Sequence, residues 1–392
     1  LVLGFDGGKL YTWDVTNGIS TRGVLVSSLA GASGVPTTHN NVIVSDVSRF
    51  VFCLGVNPVG SSDIDPLLVR WSDQESLVDW TPAATNQAGS LRLSQGSRIV
   101  TGANSRQAVL IWTDAALYSL QYVGAPIVWG ANLVGENISI ASKNAVAYAN
   151  GIAYWMGTDK FYKYDGRTET LNCDLRRYVF NDFNENQYEQ VFAGTNESFN
   201  EIWWFYCATG SAVPNRYIIY NYSENVWYFG NLTRTAWVDS GARDHPLAAT
   251  TSGKLVEHEQ GLDDNETGTP AAITAFITSA DFDLDDGHRL FLVKRIMPDV
   301  TFDGSTIDNP SVTLTLDPLT NSGSGIKSTP SEGGNSSGTV TRSATSPVEA
   351  FTEQINVRVR GRQLNFKIQS TAIGVQWQLG SPRLDMQPDG RR

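Results

Sequence analysis

The most distinctive string of the chain combines arginine, tryptophan and carboxylates. It begins Arg70-Trp71-Ser72-Asp73, includes Glu75 and ends at Trp80. Asp73 and Glu75 have the residue types of the carboxylate pair that glycoside hydrolysis requires. The competing interpretation is a turn in which the Ser72 and Asp73 side chains bond to nearby backbone while the tryptophans pack inward. The sequence lacks the repeated Ser-x-Asp-x-Gly-x-Thr-Trp turns typical of propeller sialidases, so we predict a structural turn.

A second acidic string is Asp281-Phe282-Asp283-Leu284-Asp285. Its alternating acids match the start of a calcium loop, but Gly287 comes one place late and Leu292 stands where the bidentate glutamate belongs. The alternative is an edge strand that projects Asp281, Asp283 and Asp285 from one face, which discourages pairing with other chains. We expect the edge strand.

No other residues have the spacing of a catalytic or metal site. Histidines are scattered and lack a His-x-x-x-His pair, no glycine-rich phosphate loop fits, and no serine lies in a nucleophile elbow. The cysteines have apolar neighbours and no ligand spacing, so we expect reduced core thiols. We therefore expect no enzymatic activity, no cofactor and no metal. The histidines are His39, His245, His258 and His288, and the cysteines are Cys53, Cys173 and Cys207.

One charge pattern indicates an interaction. Arg358, Arg360 and Arg362 alternate along a segment that reads as a strand, so they would share one face of it. One interpretation is a solvated basic edge. The other is a docking surface for an acidic neighbour, such as another copy of the chain. We take these arginines as the candidate subunit interface.

The composition limits the classes of partner. The chain has 392 residues, of which 41% are hydrophobic, 10% aromatic and 18% charged, and its net charge is −11. A protein that grips DNA phosphates is expected to be basic, so tight nucleic-acid binding is disfavoured, although DNA passing an acidic wall would not stick to it. No apolar run is long enough to span a bilayer, so we expect no stable membrane insertion. The chain begins at Leu1 inside a strand pattern, and we expect a segment ahead of it.

The elements that carry these residues are predicted to be β-hairpins. An apolar strand, a tight polar turn and an aromatic strand recur along the chain, which favours a β-propeller over residues 1–262. We expect insertions near 57–96 and 168–200, and a short helix over 175–183. The recurring hairpins lie at 5–13, 42–52, 109–118, 152–162, 217–228 and 247–255.

The remaining residues, 263–392, predict a second β-rich domain. Longer alternating strands are expected over 272–278, 312–316, 354–359 and 364–369, as in a small β-sandwich or an appended sheet. Residues 318–346 are rich in Gly, Ser and Thr and are expected to form a flexible loop. The predicted fold class is all-β, a propeller followed by this smaller domain.

Several strings together resemble one protein family over most of the chain. Their order is similar to that of the tail nozzle proteins, also called tail tubular or packaged-DNA-stabilisation proteins, of short-tailed bacteriophages. The motifs are structural, so the likeness depends on their combination. They are Arg70 to Pro82, Tyr154-Trp155-Met156-Gly157, Phe161 to Gly166, Glu201 to Tyr206, Tyr220 to Trp227, Arg234-Thr235-Ala236-Trp237, His258 to Gly261, and Arg360 to Arg392.

This resemblance implies a structural protein located in the virion tail. Six copies would form a ring below the portal and adaptor, and their propellers would form the wall of the distal tail tube. The tube would hold the genomic DNA after packaging and conduct it during ejection, without sequence-specific binding. Its partners would be the tail adaptor and a fibre, spike or plug protein, with the loop at 318–346 as one candidate gate. The alternative is a glycan-binding or glycan-cleaving propeller in the tail.

Overall fold

The computed structural model describes residues 1–46, 48–106, 108–241, 243–285, 287–319 and 343–390. The protein is all-β, with 47% of residues in strands and 6% in helices. It divides into two compact units, Leu1–Glu259 and Gln260–Arg392. The predicted loop at 318–346 falls mostly on residues 320–342, which lie outside the described residues.

The described part of the first unit contains six antiparallel sheets, each built from strands that follow one another in the chain. We number these sheets 1 to 6 in chain order. Sheets 1 and 6 have three strands and sheets 2 to 5 have four. The strands are β1 Val2–Gly4, β2 Leu10–Thr12 and β3 Val24–Leu25 in sheet 1; β4 His39–Val44, β5 Val51–Val56, β6 Asp65–Trp71 and β7 Gly89–Arg92 in sheet 2; β8 Ile99–Asn104, β9 Val109–Thr113, β10 Ala116–Gly124 and β11 Val128–Glu136 in sheet 3; β12 Val146–Ala149, β13 Ile152–Met156, β14 Phe161–Tyr164 and β15 Thr168–Leu171 in sheet 4; β16 Phe192–Asn196, β17 Glu201–Tyr206, β18 Arg216–Asn221 and β19 Val226–Asn231 in sheet 5; and β20 Ala236–Val238, β21 Leu247–Ala249 and β22 Leu255–Glu257 in sheet 6.

The six predicted hairpins are confirmed, one in each sheet. The two expected insertions are wrong in part. Residues 57–96 include β6 and β7, which complete sheet 2, and residues 168–200 include β15 and β16. β7, β15 and β16 are short and contain polar or small residues, which reads as loop until a neighbour is present, whereas β6 has an apolar run, Leu67 to Val69, that sequence reasoning missed.

Neighbouring sheets of the first unit share their hydrophobic cores. Leu10 of sheet 1 packs in one cluster with Val51 and Cys53 of sheet 2. Every later junction carries an aromatic pair, so no sheet buries its apolar face alone. The pairs, with distances between ring centroids, are Phe52–Trp129 at 4.9 Å, Trp112–Trp155 at 5.3 Å, Phe161–Trp204 at 5.1 Å and Trp203–Trp237 at 5.1 Å.

The row of sheets curves through contacts between their first strands. β4 contacts both β1 and β8, and β16 contacts both β12 and β20. Asn41 Nδ2 donates to Thr101 Oγ1 at 3.0 Å, which ties β4 to β8. Lys143, just ahead of sheet 4, forms an ion pair with Asp6 in the turn after β1. Sheets 1 and 4 are three places apart in the row, so this pair requires the row to bend back toward its beginning.

The predicted helix is confirmed as α1, Arg176–Asn181. It lies between sheets 4 and 5 along the chain, and its Val179 is buried. Short 3-10 turns occur at Val15–Asn17, Val26–Ser28, Glu185–Gln190 and Glu197–Phe199. The three cysteines are buried and free of disulfides, as predicted. Burial raises the pKa of each of these thiols and so favours the protonated, unreactive form.

The second unit is built around two sheets that share one core. One has the order β25-β32-β29-β30 with β26 also on β32, and the other has the order β31-β27-β34. Val293 and Val359 of the second sheet are buried with Leu314 and Ile368 of the first. Of the four predicted strands, those over 312–316, 354–359 and 364–369 are confirmed, whereas the segment 272–278 is divided between two short strands of different sheets. The strands are β23 Asp263–Asp264, β24 Ala271–Ala272, β25 Ala275–Thr278, β26 Phe282–Asp283, β27 Phe291–Met297, β28 Val300–Thr301, β29 Ser311–Leu319, β30 Ala344–Glu349, β31 Ile355–Gly361, β32 Gln363–Ser370, β33 Gln378–Leu379 and β34 Arg383–Pro388.

Candidate functional site

The outer side of the sheet β31-β27-β34 carries five of the eight lysine and arginine side chains that the structure describes in the second unit. Its inner side buries Phe291, Val293 and Val359, so the alternate residues of each strand point outward. Asp385 is the acid on the same side, and its carboxylate lies 3.7 Å from the Arg295 guanidinium. We call this surface the basic face, and define it by Lys294, Arg295, Arg358, Arg360 and Arg383.

The three predicted interface arginines differ in their environments. Arg358 and Arg360 lie on the exposed side of β31, as expected. Arg360 forms an ion pair with Asp389. Arg362 lies beyond the end of β31, in the bend before β32, and its Nη1 donates to the His288 carbonyl at 2.9 Å. The expectation of one face for all three is therefore wrong for Arg362, because the chain reverses direction after Gly361.

Two cations of the basic face were not predicted. Lys294 and Arg295 belong to β27, which lies between β31 and β34 in the sheet. A register shift between Val293 and Arg295 turns both consecutive side chains outward. Only this long-range pairing reveals that they join the arginines of β31. Lys367 is not part of the basic face. It lies on β32 of the other sheet, and its Nζ is 4.9 Å from the centre of the Phe276 ring.

The string around Asp73 and Glu75 forms a structural turn, as predicted. Asp73 Oδ1 accepts from the Gln87 backbone N–H at 2.8 Å, whereas Glu75 pairs with Arg49 at 2.8 Å. The two carboxylates are thus engaged with different parts of the loop. Trp71 and Trp80 are buried. These contacts support a structural role for the string.

Arg70 of the same string is fully buried and connects three loops through hydrogen bonds. Its guanidinium donates to the carbonyls of Asn57 at 3.0 Å, Gly34 at 2.5 Å and Trp80 at 3.4 Å. Burial lowers the pKa of Arg70, because desolvation penalises the charged guanidinium, while the carbonyls that accept its hydrogen bonds stabilise the charge. The role of the string is to join these loops beside sheet 2.

The acidic string of the second unit is a short strand followed by a turn. Only Phe282–Asp283 is strand, paired with β32, and Asp285 adopts a left-handed backbone with φ of 58°. Asp281 Oδ1 accepts from Asn365 Nδ2 at 2.9 Å. The prediction that all three aspartates project from one strand is therefore wrong, because the strand ends before Asp285.

Sequence reasoning missed a carboxylate cluster in the first unit. Asn196 ends β16 and lies opposite Glu201, which begins β17. Asn196 Nδ2 lies 3.5 Å from Glu201 Oε2 and 3.3 Å from Glu259 Oε1. Trp203 Nε1 donates to the same Glu201 oxygen at 2.9 Å. We call Asn196, Glu201 and Glu259 the carboxylate cluster. Glu259 lies far away in the sequence, so no local spacing marks this group.

Partial burial changes the acidity of both carboxylates in the cluster. Desolvation raises the pKa of Glu201, and the neighbouring charge of Glu259 raises it further, against the Trp203 hydrogen bond. Desolvation also raises the pKa of Glu259, against the Asn196 hydrogen bond and the nearby His245. Each carboxylate is therefore easier to protonate than an ordinary glutamate, and each favours a compensating positive charge.

An open cleft of about 410 Å³ lies beside α1. Tyr178 is 41% exposed there and packs on Phe229, with 4.4 Å between ring centroids. Asp182 at the rim accepts from Arg216 Nε at 3.0 Å. An exposed ring beside planar polar groups is a surface to which a polar ring compound can stack and hydrogen-bond. The lining residues are Arg177, Tyr178, Asn181, Asp182 and Arg216.

The comparisons with known proteins do not identify a family. No protein-family model matches the chain, and no curated protein matches it. The extracellular domain of a one-component system from B. thetaiotaomicron is similar with a TM-score of 0.39 and 10% identity, over 79% of this chain and 39% of that one. An exported protein from Bacteroides fragilis NCTC 9343 has a TM-score of 0.32 and 9% identity, over 64% of this chain and 78% of that one. This chain thus spans less than half of the first structure, and such low values carry no functional argument.

No helix among the described residues has the length and apolar character needed to cross a membrane.

Proposed function

We propose that this protein is a structural component of the distal tail tube, or nozzle, of a short-tailed phage virion. The observation that carries the proposal is the row of six consecutive antiparallel sheets with shared aromatic cores, combined with the ordered motifs that resemble the nozzle family. Its function is to retain packaged DNA and to conduct it during ejection. The role is mechanical, so it requires no catalytic residues.

The first unit is proposed to be a β-propeller in which the six sheets are blades. Three features support this: each sheet is formed from consecutive strands, first strands contact first strands, and the Asp6–Lys143 pair brings sheet 1 to the segment ahead of sheet 4. In a ring of six blades, the first and fourth face each other across the axis. The ion pair would then lie near that axis and narrow the passage through a single propeller.

The passage for DNA is accordingly proposed to lie between subunits and not within one propeller. Six copies around a closed ring would line a tube with the walls of their propellers. With a net charge of −11 per chain, such a wall repels phosphates and lets the duplex slide without adhering. Retention before infection would come from a plug or fibre protein at the distal end, and attachment from the adaptor above.

The basic face provides the proposed contact between neighbouring subunits. A closed ring uses heterologous contacts, in which one surface of a subunit meets a different surface of the next. Five cations on one sheet face suit an acidic surface of the neighbouring subunit, and the net charge of −11 means that acids exceed bases in each copy. The contact would set the orientation of each subunit around the ring.

Electron microscopy of the native particle tests the proposal. We expect a six-fold collar of this protein at the end of the tail, identified by labelling with an antibody against the chain. A monodisperse monomer that is absent from purified tails would overturn the proposal.

The alternative is a glycan-binding tail protein, and the cleft beside α1 is the observation that favours it. The exposed Tyr178 ring, flanked by Arg177 and Asp182, suits a sugar that carries a negative group. A glycan array probed with wild-type protein and with Tyr178→Ala tests this function. Binding that depends on Tyr178 would support it, and the absence of binding to any glycan would reject it.

A further inference from the structure

The hairpin formed by β10 and β11 extends beyond the rest of sheet 3. β9 pairs only with residues 117–120 of β10, whereas β10 and β11 continue to pair with each other as far as Gly124 and Val128. The turn at the end of the hairpin, residues 125–127, is exposed together with Tyr122 and Val123. We call residues 122–127 the hairpin tip. Because the tip protrudes and forms no groove, a partner must receive it.

The hairpin tip is apolar, and the whole hairpin around it carries no charge. Val123 is 58% exposed and Ile127 is 66% exposed, and residues 125–126 between them are exposed as well. Residues 115–135 contain no Asp, Glu, Lys or Arg, in a chain of which 18% is charged. Grouped exposed apolar side chains of this kind mark contact sites. A charge moved into hydrocarbon is costly, so an uncharged hairpin is what insertion into lipid requires.

The backbone of the turn offers little hydrogen-bonding capacity to a protein partner. Pro126 has no backbone N–H, and the Ile127 carbonyl already accepts from the Trp129 N–H at 2.9 Å. Gly124 and Val128 close the turn in the left-handed conformation, with φ of 78° and 66°, and pair with each other. A protein that adds a strand needs free N–H and C=O groups, whereas lipid favours backbone whose polar groups are few or already paired. The turn meets the second requirement more closely, which favours lipid as the partner.

Aromatic rings hold the base of the hairpin tip. The Tyr122 ring packs on Phe50 and Trp129, with centroid distances of 5.8 Å and 5.6 Å, and its hydroxyl donates to Gln87 Oε1 at 2.9 Å. A tyrosine with an apolar ring and a hydrogen-bonded hydroxyl is the residue type enriched where a protein passes from water into lipid. The three residues from Tyr122 to the turn span about 10 Å at about 3.3 Å per residue. This length agrees with the depth of about 5–10 Å that interfacial apolar faces reach in a bilayer.

We propose that the hairpin tip is a membrane-contact site, which inserts Val123 and Ile127 into the outer part of a lipid bilayer and places Tyr122 at the level of the headgroups. The contact is peripheral and reversible, unlike a membrane span. Apolar burial drives it, because the net charge of −11 opposes binding to anionic lipid. The proposal concerns one hairpin of the first unit and does not depend on the proposed tail function.

Flotation of the full chain with phosphatidylcholine vesicles tests the site. Each methylene that enters hydrocarbon raises partitioning about four-fold, and a single myristoyl chain gives an association constant of about 10,000 M⁻¹. The smaller tip should give about 1,000 M⁻¹, so about half of the protein should float at about 1 mM accessible lipid. The bound fraction should be the same at low and high salt, because no ion pair takes part. No flotation at about 5 mM lipid would overturn the proposal.

A fluorescent label shows which part of the chain enters the bilayer. Val123→Cys accepts the label selectively, because the three native cysteines are buried. On binding to vesicles, the emission should move to shorter wavelength and quenching by iodide in the water should be lost. A label that remains accessible to iodide in the floated protein would show that another surface binds, and would also overturn the proposal.

Two matched substitutions separate the tip from other exposed apolar residues. Ile127→Asp places a charge in the tip and should weaken vesicle binding at least about 20-fold. Ile19→Asp makes the same change at an isoleucine that is 93% exposed between β2 and β3, and should leave binding unchanged. Both positions are exposed, so both variants should fold, which circular dichroism checks. Unchanged binding by Ile127→Asp, or equal losses in the two variants, would refute the proposal.

Sedimentation velocity distinguishes the membrane contact from a contact between copies of the chain. If the wild type does not float and Ile127→Asp instead weakens self-association, the tip is a protein contact and the proposal is wrong. If the wild type floats but forms no ring, the membrane contact is supported while the tail tube is not. The two proposals can therefore fail separately.

Discussion

Charge reversal on the basic face is expected to prevent ring assembly without unfolding the subunit. The change is Arg358→Glu and Arg360→Glu on the basic face, together with Arg362→Glu in the bend beyond it, in one chain. Its cost within the subunit is small: the Arg360 and Asp389 side chains are 41% and 45% exposed, and such a pair contributes at most about 1 kcal/mol. A domain is typically stable by about 5–15 kcal/mol, so the variant should fold.

The cost at the subunit contact is larger because attraction becomes repulsion. Each exposed charge pair contributes about 0.2–1 kcal/mol, and reversal replaces that gain with a loss of similar size. The two reversals on the face should therefore weaken each contact by about 1–4 kcal/mol, or about five-fold to a thousand-fold in the association constant. Added salt should weaken the wild-type ring, because exposed pairs are screened.

Sedimentation velocity at low and physiological salt measures assembly, and circular dichroism checks the fold. Lys367→Glu is the matched control, since this cation lies on the other sheet beside Phe276 and should leave assembly unchanged. The double variant Lys294→Glu, Arg358→Glu avoids the residues bonded to Asp389 and His288 and should reproduce the defect. Rings that form as well in both variants as in the wild type would refute the assignment of this face.

Three further predictions concern stability and are measured as free energies of unfolding. Raised pKa values of Glu201 and Glu259 mean that the stability linked to their protonation is complete below the ordinary glutamate pKa of 4.5 and is lost as pH rises through the higher folded values. The excess stability of Glu259→Gln over wild type should therefore grow with pH, and a constant difference would contradict this. Gly194→Ala places a methyl group against the Trp237 indole and should destabilise by about 1–3 kcal/mol, whereas Gly130→Ala, whose nearest neighbour is 3.6 Å away, should be tolerated. Arg70→Met leaves buried carbonyls without donors and should lower the free energy of unfolding by about 1–3 kcal/mol. The control Arg49→Met removes only an exposed ion pair with Glu75 and should lower it by less than about 1 kcal/mol.

The sequence predicts the hairpins well because their signals are local. The alternation around Trp155 and Tyr162, separated by a polar turn, is sufficient to specify a hairpin whatever surrounds it. Strand β27 could not be predicted in the same way, since Lys294 and Arg295 occupy its middle and interrupt the alternation. Its position is decided by pairing with β31 and β34, which lie far away in the chain.

The candidate sites show the same difference between local contacts, which the sequence predicts, and long-range contacts, which it does not. The turn around Asp73 was predictable because its partners lie within the same loop. The carboxylate cluster was not, since Asn196 and Glu201 meet across a strand pair and Glu259 arrives from another sheet. A polar group that acquires its role only through tertiary contact leaves no spacing in the sequence. The useful signal is instead structural: one buried amide nitrogen that donates to two carboxylates from different parts of the chain.

Shared cores explain why a local event in the first unit should be visible in its global unfolding. Trp203 packs with Trp237 of sheet 6, and Trp204 of the same strand packs with Phe161 of sheet 4. Opening the end of sheet 5 therefore exposes apolar surface on both neighbours, so these sheets should unfold together. A proton on Glu201 binds where this strand begins. Its stabilisation would then raise the unfolding temperature of the whole row and not only that of the chain end.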